Sequence, residues 1–284
     1  MLAGFLLALR EGIEAALIVG IVLGVLKKSN RMDRAPRVWL GVIGAAIISA
    51  IVAIILNVIG AEFDGPGEQA FEGITMLLAA GVLTWMIFWM QKQSRQVQIG
   101  LEADVKSALS RGHDWALFSV AFLAVVREGV ELALFLTAVN FAEPIAGIEA
   151  PILGWLGGLL GLIAAVIIGW LMFDTTIKLN LRRFFQLTSI ILIVFAAGLI
   201  GHAVHEFNEL GWIPPVIDHL YDFKAAMPES MVFGQFLKAL FGYTASPSLT
   251  ETIGYLGYCV VVFCMVRWFA RKPIAQAASN TPAG

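Results

Sequence analysis

Arg10-Glu11-Gly12-Ile13-Glu14-Ala15-Ala16-Leu17 and Arg127-Glu128-Gly129-Val130-Glu131-Leu132-Ala133-Leu134 are one pattern written twice, 117 positions apart. Each copy sits inside a long apolar run, residues 2–26 and 115–141. In a helix the residues at i, i+3 and i+4 share a face. Glu11 and Glu14 therefore point the same way, with Arg10 one turn before Glu14, and Arg127, Glu128 and Glu131 repeat the arrangement. Gly12 and Gly129 remove a side chain beside the carboxylates and let another backbone come close. Six charged groups facing lipid at helix centres would cost roughly 15–20 kcal/mol. They must face one another or a wet cavity.

The two runs belong to a set of seven, at about 2–26, 37–60, 70–90, 115–141, 152–173, 184–206 and 252–270. With 59% hydrophobic residues, 14% charged residues and a mean hydropathy of +0.82, the chain lies far from the make-up of a soluble domain. Runs of about 20 apolar residues are long enough to cross a hydrocarbon core. The N-terminal run has no Lys or Arg before it and is broken early by Arg10 and Glu11, so it reads as the first spanning helix rather than a signal peptide.

Loop charge predicts the orientation. Lys27, Lys28, Arg31, Arg34 and Arg37 follow the first helix, Lys92, Arg95, Lys106 and Arg111 the third, Lys178, Arg182 and Arg183 the fifth, and Arg267, Arg271 and Lys272 close the seventh. The alternate loops are acidic, with Glu62, Asp64 and Glu68, then Glu143 and Glu149. Basic loops stay in the cytoplasm. The expected fold is an all-α integral membrane protein with seven transmembrane helices, its N-terminus outside and its C-terminus in the cytoplasm.

The offset that superposes the charged motifs also superposes Ala79-Ala80-Gly81 on Ala196-Ala197-Gly198. Helices one to three and four to six thus read as two copies of a three-helix unit. Three being odd, the copies run in opposite directions, a 3+3 inverted repeat that predicts a site near the midplane. The expected division is 1–110 and 111–206 for the repeats, 207–250 for an external loop folded back on the membrane surface, 251–272 for the extra helix and 273–284 for a cytoplasmic tail.

Each motif holds one Arg and two Glu, so the pair is formally −2 when all six groups ionise. A set built only for arginines to staple glutamates would be expected to balance to neutral, which this one does not, though that structural reading stays open. Surplus negative charge in a low-dielectric interior needs protons or a metal cation. Four carboxylates offer hard oxygen ligands, suited to Fe(III), Mn(II), Mg(II) or Ca(II) rather than Cu(I). Cys259 and Cys264, both in an apolar run, offer no Cys-rich metal site. Di-iron carboxylate enzymes use Glu-x-x-His pairs that these helices lack. His202-x-x-His205-Glu206 is not a zincin motif. A transporter is favoured over an enzyme, and nothing supports nucleic-acid binding.

A pair of Arg-Glu-Gly-hydrophobic-Glu motifs in the first and fourth helices of a seven-helix chain resembles the oxidase-dependent iron transporter family, the high-affinity iron permeases of fungi and their bacterial EfeU-type relatives. The resemblance extends to Phe71-Glu72-Gly73 and His205-Glu206. It implies iron as the transported substrate, no resident cofactor, and a place in the cell inner (plasma) membrane in contact with lipid. It implies iron-binding glutamates at Glu11, Glu14, Glu128 and Glu131, with Arg10 and Arg127 orienting them. It also implies a separate periplasmic or extracellular partner, an iron-binding protein, oxidase or peroxidase, that delivers Fe(III). A proton-coupled carrier of another divalent cation such as Mn(II) is the alternative.

Glu68 and Glu72 open the third helix, while His202, His205 and Glu206 close the sixth. They form a candidate outer collecting site, helped by Glu62 and Asp64, or act only as partners of the helix dipoles. Trp85, Trp89, Trp155 and Trp170 read as interfacial anchors. Gly154, Gly157, Gly158 and Gly161 read as a close-packing face.

Overall fold

The computed structural model describes residues 1–62, 65–110, 114–142, 150–174, 181–218, 220, 221, 234, 237 and 241–271. Asp64, Glu143, Glu149, much of 207–250 and the tail after Arg271 lie outside the described residues, as does the Glu62 side chain. Seven α-helices are described: α1 Leu2–Lys28, α2 Ala35–Glu62, α3 Pro66–Ser110, α4 Asp114–Ala142, α5 Ala150–Asp174, α6 Leu181–Glu209 and α7 Leu249–Arg271. A short 3-10 turn, Met32–Arg34, leads into α2. No strand occurs among the described residues.

Each apolar run has become a helix, with one large difference in length. Helix α3 runs for 45 residues, some twenty past the expected end. Its second half is polar but holds no proline, and Gln, Lys, Glu, Ala and Leu propagate a helix that an apolar pattern does not reveal. Its start is set by Gly65, in the left-handed region at φ 59°, followed by Pro66 at the first helical position.

Five helical stretches are long and apolar enough to cross a membrane: Met32–Ile59, Pro66–Trp89, Gly154–Met172, Arg183–Glu209 and Leu249–Trp268. Helices α1 and α4 match them in length, with 27 and 29 residues, but each carries a motif's three charges at its middle. These two are sheltered. The main core joins Leu7 of α1, Met76, Leu83 and Met86 of α3, Phe135 and Leu136 of α4, and Phe195 and Leu199 of α6. The apolar side chains left exposed concentrate on α2, α5 and α7, including Ile47, Ile54, Ile163, Val166, Ile253 and Val260. That outer face is what lipid would cover.

Helix α1 packs most extensively along α5, and α2 along α4. Glycine makes the first contact close: a Cβ on Gly161 would meet the Phe5 carbonyl oxygen and come within 2.9 Å of the Leu9 nitrogen, and one on Gly157 would meet the Met1 carbonyl. The α5 glycines are a packing face, as the sequence suggests. On the other side, a Cβ on Gly41 would lie 2.6 Å from the Phe118 carbonyl of α4.

The segment before α7 packs on the helix bundle at one described point. Gly242, at φ 62°, packs its backbone directly on that of Gly198, eleven residues before the end of α6 and so about 16 Å along the helix axis. Leu220 N donates to Pro247 O (3.0 Å) and Leu249 N to Ile217 O (3.0 Å), which ties residues 217–220 to the start of α7.

Candidate metal centre

The motifs meet between α1, α3 and α4. Arg10 is fully buried, and its planar fork serves two carboxylates: Nη1 donates to Glu11 Oε1 at 2.9 Å, and Nη2 lies 3.1 Å from Glu14 Oε1. The second contact is an ion pair without hydrogen-bond alignment. Arg10 Nη1 also donates to Met86 Sδ of α3 at 3.2 Å. Arg127 behaves differently. Its Nε donates to Glu131 Oε1 at 3.0 Å, and its guanidinium lies over the rings of Trp89 (4.6 Å) and Trp85 (5.5 Å). These tryptophans, at the end of the apolar stretch of α3 but in the middle of the helix, are thus arginine partners.

Carboxylate oxygens of Glu11, Glu128 and Glu131 lie within 4.8 Å of one another. Glu11 and Glu128 are buried, and Glu131 nearly so. Oε2 of each has no hydrogen-bond partner among the described residues. Three atoms so placed share a point within about 2.8 Å of each, slightly beyond the 2.0–2.2 Å of a carboxylate on a first-row divalent ion. A small inward movement would seat a cation. Glu14, the fourth motif carboxylate, stays outside this group and turns toward Arg10.

Both motif glycines let a neighbouring helix close on the cluster. A Cβ on Gly12 would lie 2.5 Å from Ala165 Cβ of α5, and one on Gly129 would strike the Ser49 hydroxyl of α2.

The residues of the candidate collecting site gather at the start of α3 and the end of α6. His205 Nδ1 lies 3.0 Å from Glu251 Oε1, and its Nε2 3.3 Å from Glu209 Oε1. Gln69 Nε2 donates to Glu209 Oε2 at 2.5 Å, bridging α3 to α6. The charges of Glu206, Glu68 and Glu209 act on Glu72. Glu68 is exposed in the first turn of α3, and His202 is half-buried a turn before His205. Glu209 and Glu251 escape the reading of the sequence. Glu251 had a visible signal: Ser248-x-x-Glu251 is a capping box, with Ser248 N donating to Glu251 Oε1 and Glu251 N donating to Ser248 Oγ, both at 3.2 Å. Its contact with a histidine 46 residues away had none.

The model of the iron permease FTR1 family matches residues 1–273. The chain belongs to that family. Among its relatives is the ferrous iron permease EfeU of Shigella sonnei (strain Ss046), 38% identical over 285 residues and aligned over the whole of both chains. The ferrous iron permease EfeU of Escherichia coli O6:K15:H31 (strain 536 / UPEC) is 39% identical over 262 residues, covering 92% of this chain and 93% of the relative. That of Yersinia pestis is 36% identical over 288 residues, covering 99% and 100%. No solved structure matches the chain. These relatives are named as permeases, which are transporters and not enzymes. A member of this family with several spanning helices is a multi-pass inner-membrane protein.

Proposed function

We propose that this permease carries iron across the cytoplasmic membrane through the carboxylate cluster of Glu11, Glu128 and Glu131, with Glu14 as a fourth group drawn off by Arg10. The observation that carries the reading is the convergence of three buried carboxylates from two distant motifs, each with an oxygen lacking a hydrogen-bond partner among the described residues. Such groups repel one another unless a proton or a cation lies among them. Four glutamates against two arginines leave the surplus charge that a cation would offset.

The chain crosses the membrane seven times on this reading, as two inverted three-helix copies, 1–110 and 111–206, plus α7, with the N-terminus outside. The packing supports it. Exchange of the copies turns the pair α1 with α5 into α4 with α2, and these are the two most extensive helix pairs. It likewise turns the seat of Gly12 against α5 into the seat of Gly129 against α2. The cluster would then lie at the interface of the copies, where rocking of one against the other alternates access.

Iron would be collected outside by Glu72, His205 and Glu206, joined by Glu209 and Glu251, and passed inward. Arg10 and Arg127 would keep the cluster from holding the cation too tightly for release. The relatives' names specify ferrous iron. A hard all-oxygen cluster suits Fe(III) at least as well, so a separate oxidising partner would present Fe(III) to the collecting residues. The test is uptake into liposomes of the purified protein, offered ferric citrate, ascorbate-reduced iron and Mn(II) in turn, with and without a proton gradient. Iron should enter faster than Mn(II). Faster Mn(II) entry would replace this reading with that of a carrier for another divalent cation.

A further inference from the structure

The two arginines of the paired motifs are held in different ways, and one helix holds both. Met86 of α3 accepts from Arg10, while Trp89 and Trp85, three positions after and one before Met86, carry Arg127 on stacked rings 6.1 Å apart. In the first motif the arginine pairs with the adjacent glutamate, Arg10 with Glu11. The second motif has the same adjacency, so Arg127 could reach Glu128 in the same way. It does not. Among the described residues the ion pair of Arg127 is with Glu131 and not with Glu128. The Arg127 side chain is about a third exposed, against none of Arg10. It stands on the tryptophan side of α4 and, among the described residues, hydrogen-bonds the cluster at Glu131.

We infer that Trp89, seconded by Trp85, is a positioning residue that holds Arg127 away from Glu128 and so keeps Glu128 free to bind the cation. The inference rests on the reading of Glu11, Glu128 and Glu131 as the cation site. A guanidinium over an indole face is held by the ring's quadrupole, and the hold strengthens where water is scarce. Without that face, the strongest remaining partner near Arg127 is the neighbouring carboxylate. A guanidinium paired with Glu128 would neutralise it and compete with the metal. A tryptophan that serves only as an interfacial anchor would affect binding in the same way whether or not Arg127 were present.

That difference gives the test. The full-length protein is placed in nanodiscs and titrated with Mn(II), a hard divalent probe followed by its paramagnetic resonance. Trp89→Leu should weaken binding about tenfold, and Trp89→Phe, which keeps a ring of weaker face, should fall between it and the wild type. In an Arg127→Gln background, Trp89→Leu should change affinity less than about twofold, because the group it positions is gone. An equal loss in both backgrounds, or wild-type affinity in Trp89→Leu, overturns the inference. If Trp89→Leu does not insert, the same comparison runs on Trp89→Phe, whose smaller loss must also vanish with Arg127→Gln. Glu128→Gln separates the two levels. Unchanged binding in Glu128→Gln overturns the cation site itself, whereas weakened binding there with none in Trp89→Leu overturns the role of the tryptophan alone.

Discussion

Glu128→Gln is the sharpest test of the cluster, because it removes one charge while keeping the size and shape of the side chain. Three ionised carboxylates no more than 4.8 Å apart repel by at least about 3.5 kcal/mol per pair at an effective dielectric of about 20, so roughly 10 kcal/mol opposes the empty, fully charged state. A divalent cation within about 2.8 Å of all three gains about 12 kcal/mol from each carboxylate on the same scale. Replacing Glu128 by the amide forfeits one such attraction and relieves two repulsions, about 7 kcal/mol, for a net loss of about 5 kcal/mol. At 1.36 kcal/mol per decade this is three to four orders of magnitude in affinity, on the order of the difference between a working site and none. Titration with Mn(II), with iron as competitor, measures it directly, and uptake into proteoliposomes should fall with it. Glu14→Gln is the internal comparison. Its carboxylate lies outside the three-oxygen group and is already paired with Arg10, so its loss should be about tenfold or less. A Glu128→Gln protein that binds Mn(II) within tenfold of the wild type would refute the cluster as the site.

Arg10→Lys should impair uptake more than Arg127→Lys, since Arg10 serves Glu11 and Glu14 with two separate nitrogens and a single ammonium cannot reproduce the fork; equal effects in a transport assay would count against the asymmetry of the motifs. Gly161→Ala should lower stability by about 1–3 kcal/mol, because the new methyl meets α1 backbone that cannot yield, whereas Gly81→Ala, with open space around it, should be neutral or stabilising by up to about 1 kcal/mol. Thermal melting in detergent reads both, and a reversed order would show that the α1–α5 contact is looser than described. Glu72→Ala, Glu206→Ala and Glu251→Gln should raise the iron concentration for half-maximal uptake and leave the maximal rate largely intact; a collapsed rate at unchanged half-saturation would rule out a collecting role. A reporter fused after Gly284 should be active only as a cytoplasmic type, and periplasmic activity there would remove the inverted repeat.

The helices were legible because lipid-facing and core positions are alike apolar, so each run announces itself regardless of what it packs against. The motifs were legible for the opposite reason: charge inside such a run is costly enough to need a function. What the pattern left out follows the same logic. The second half of α3 is polar and carries no apolar run, so its helix was invisible. The seat of Gly242 on Gly198 joins residues 44 apart through backbone alone, and backbone contact leaves no trace in hydropathy. The choice of Arg127 between Glu128 and the tryptophans is a matter of rotamers around two motifs with the same charged residues at the same spacing, and the packing of α3 distinguishes them. Trp85 and Trp89 suit an interfacial belt by position, which masked their contact with a charge.

Helices α1 and α4 show why the fold needs its outer ring. Neither is apolar enough at its centre to be a comfortable span, and six motif charges facing lipid would cost roughly 15–20 kcal/mol. The bundle shields them by placing α1 and α4 against α3 and α6 in the core, and by laying α5 on α1 and α2 on α4, both with apolar outer faces. Close approach at those two contacts depends on glycine, including Gly12 and Gly129 from the motifs themselves. The same motifs that would carry the cation thus also set, through their glycines, how tightly the shield closes. Glu11 alone cannot complete the cluster, because two of its three carboxylates come from α4. On the proposed reading a three-helix copy by itself would hold an arginine and two glutamates, so the cation site would form only where the two copies meet.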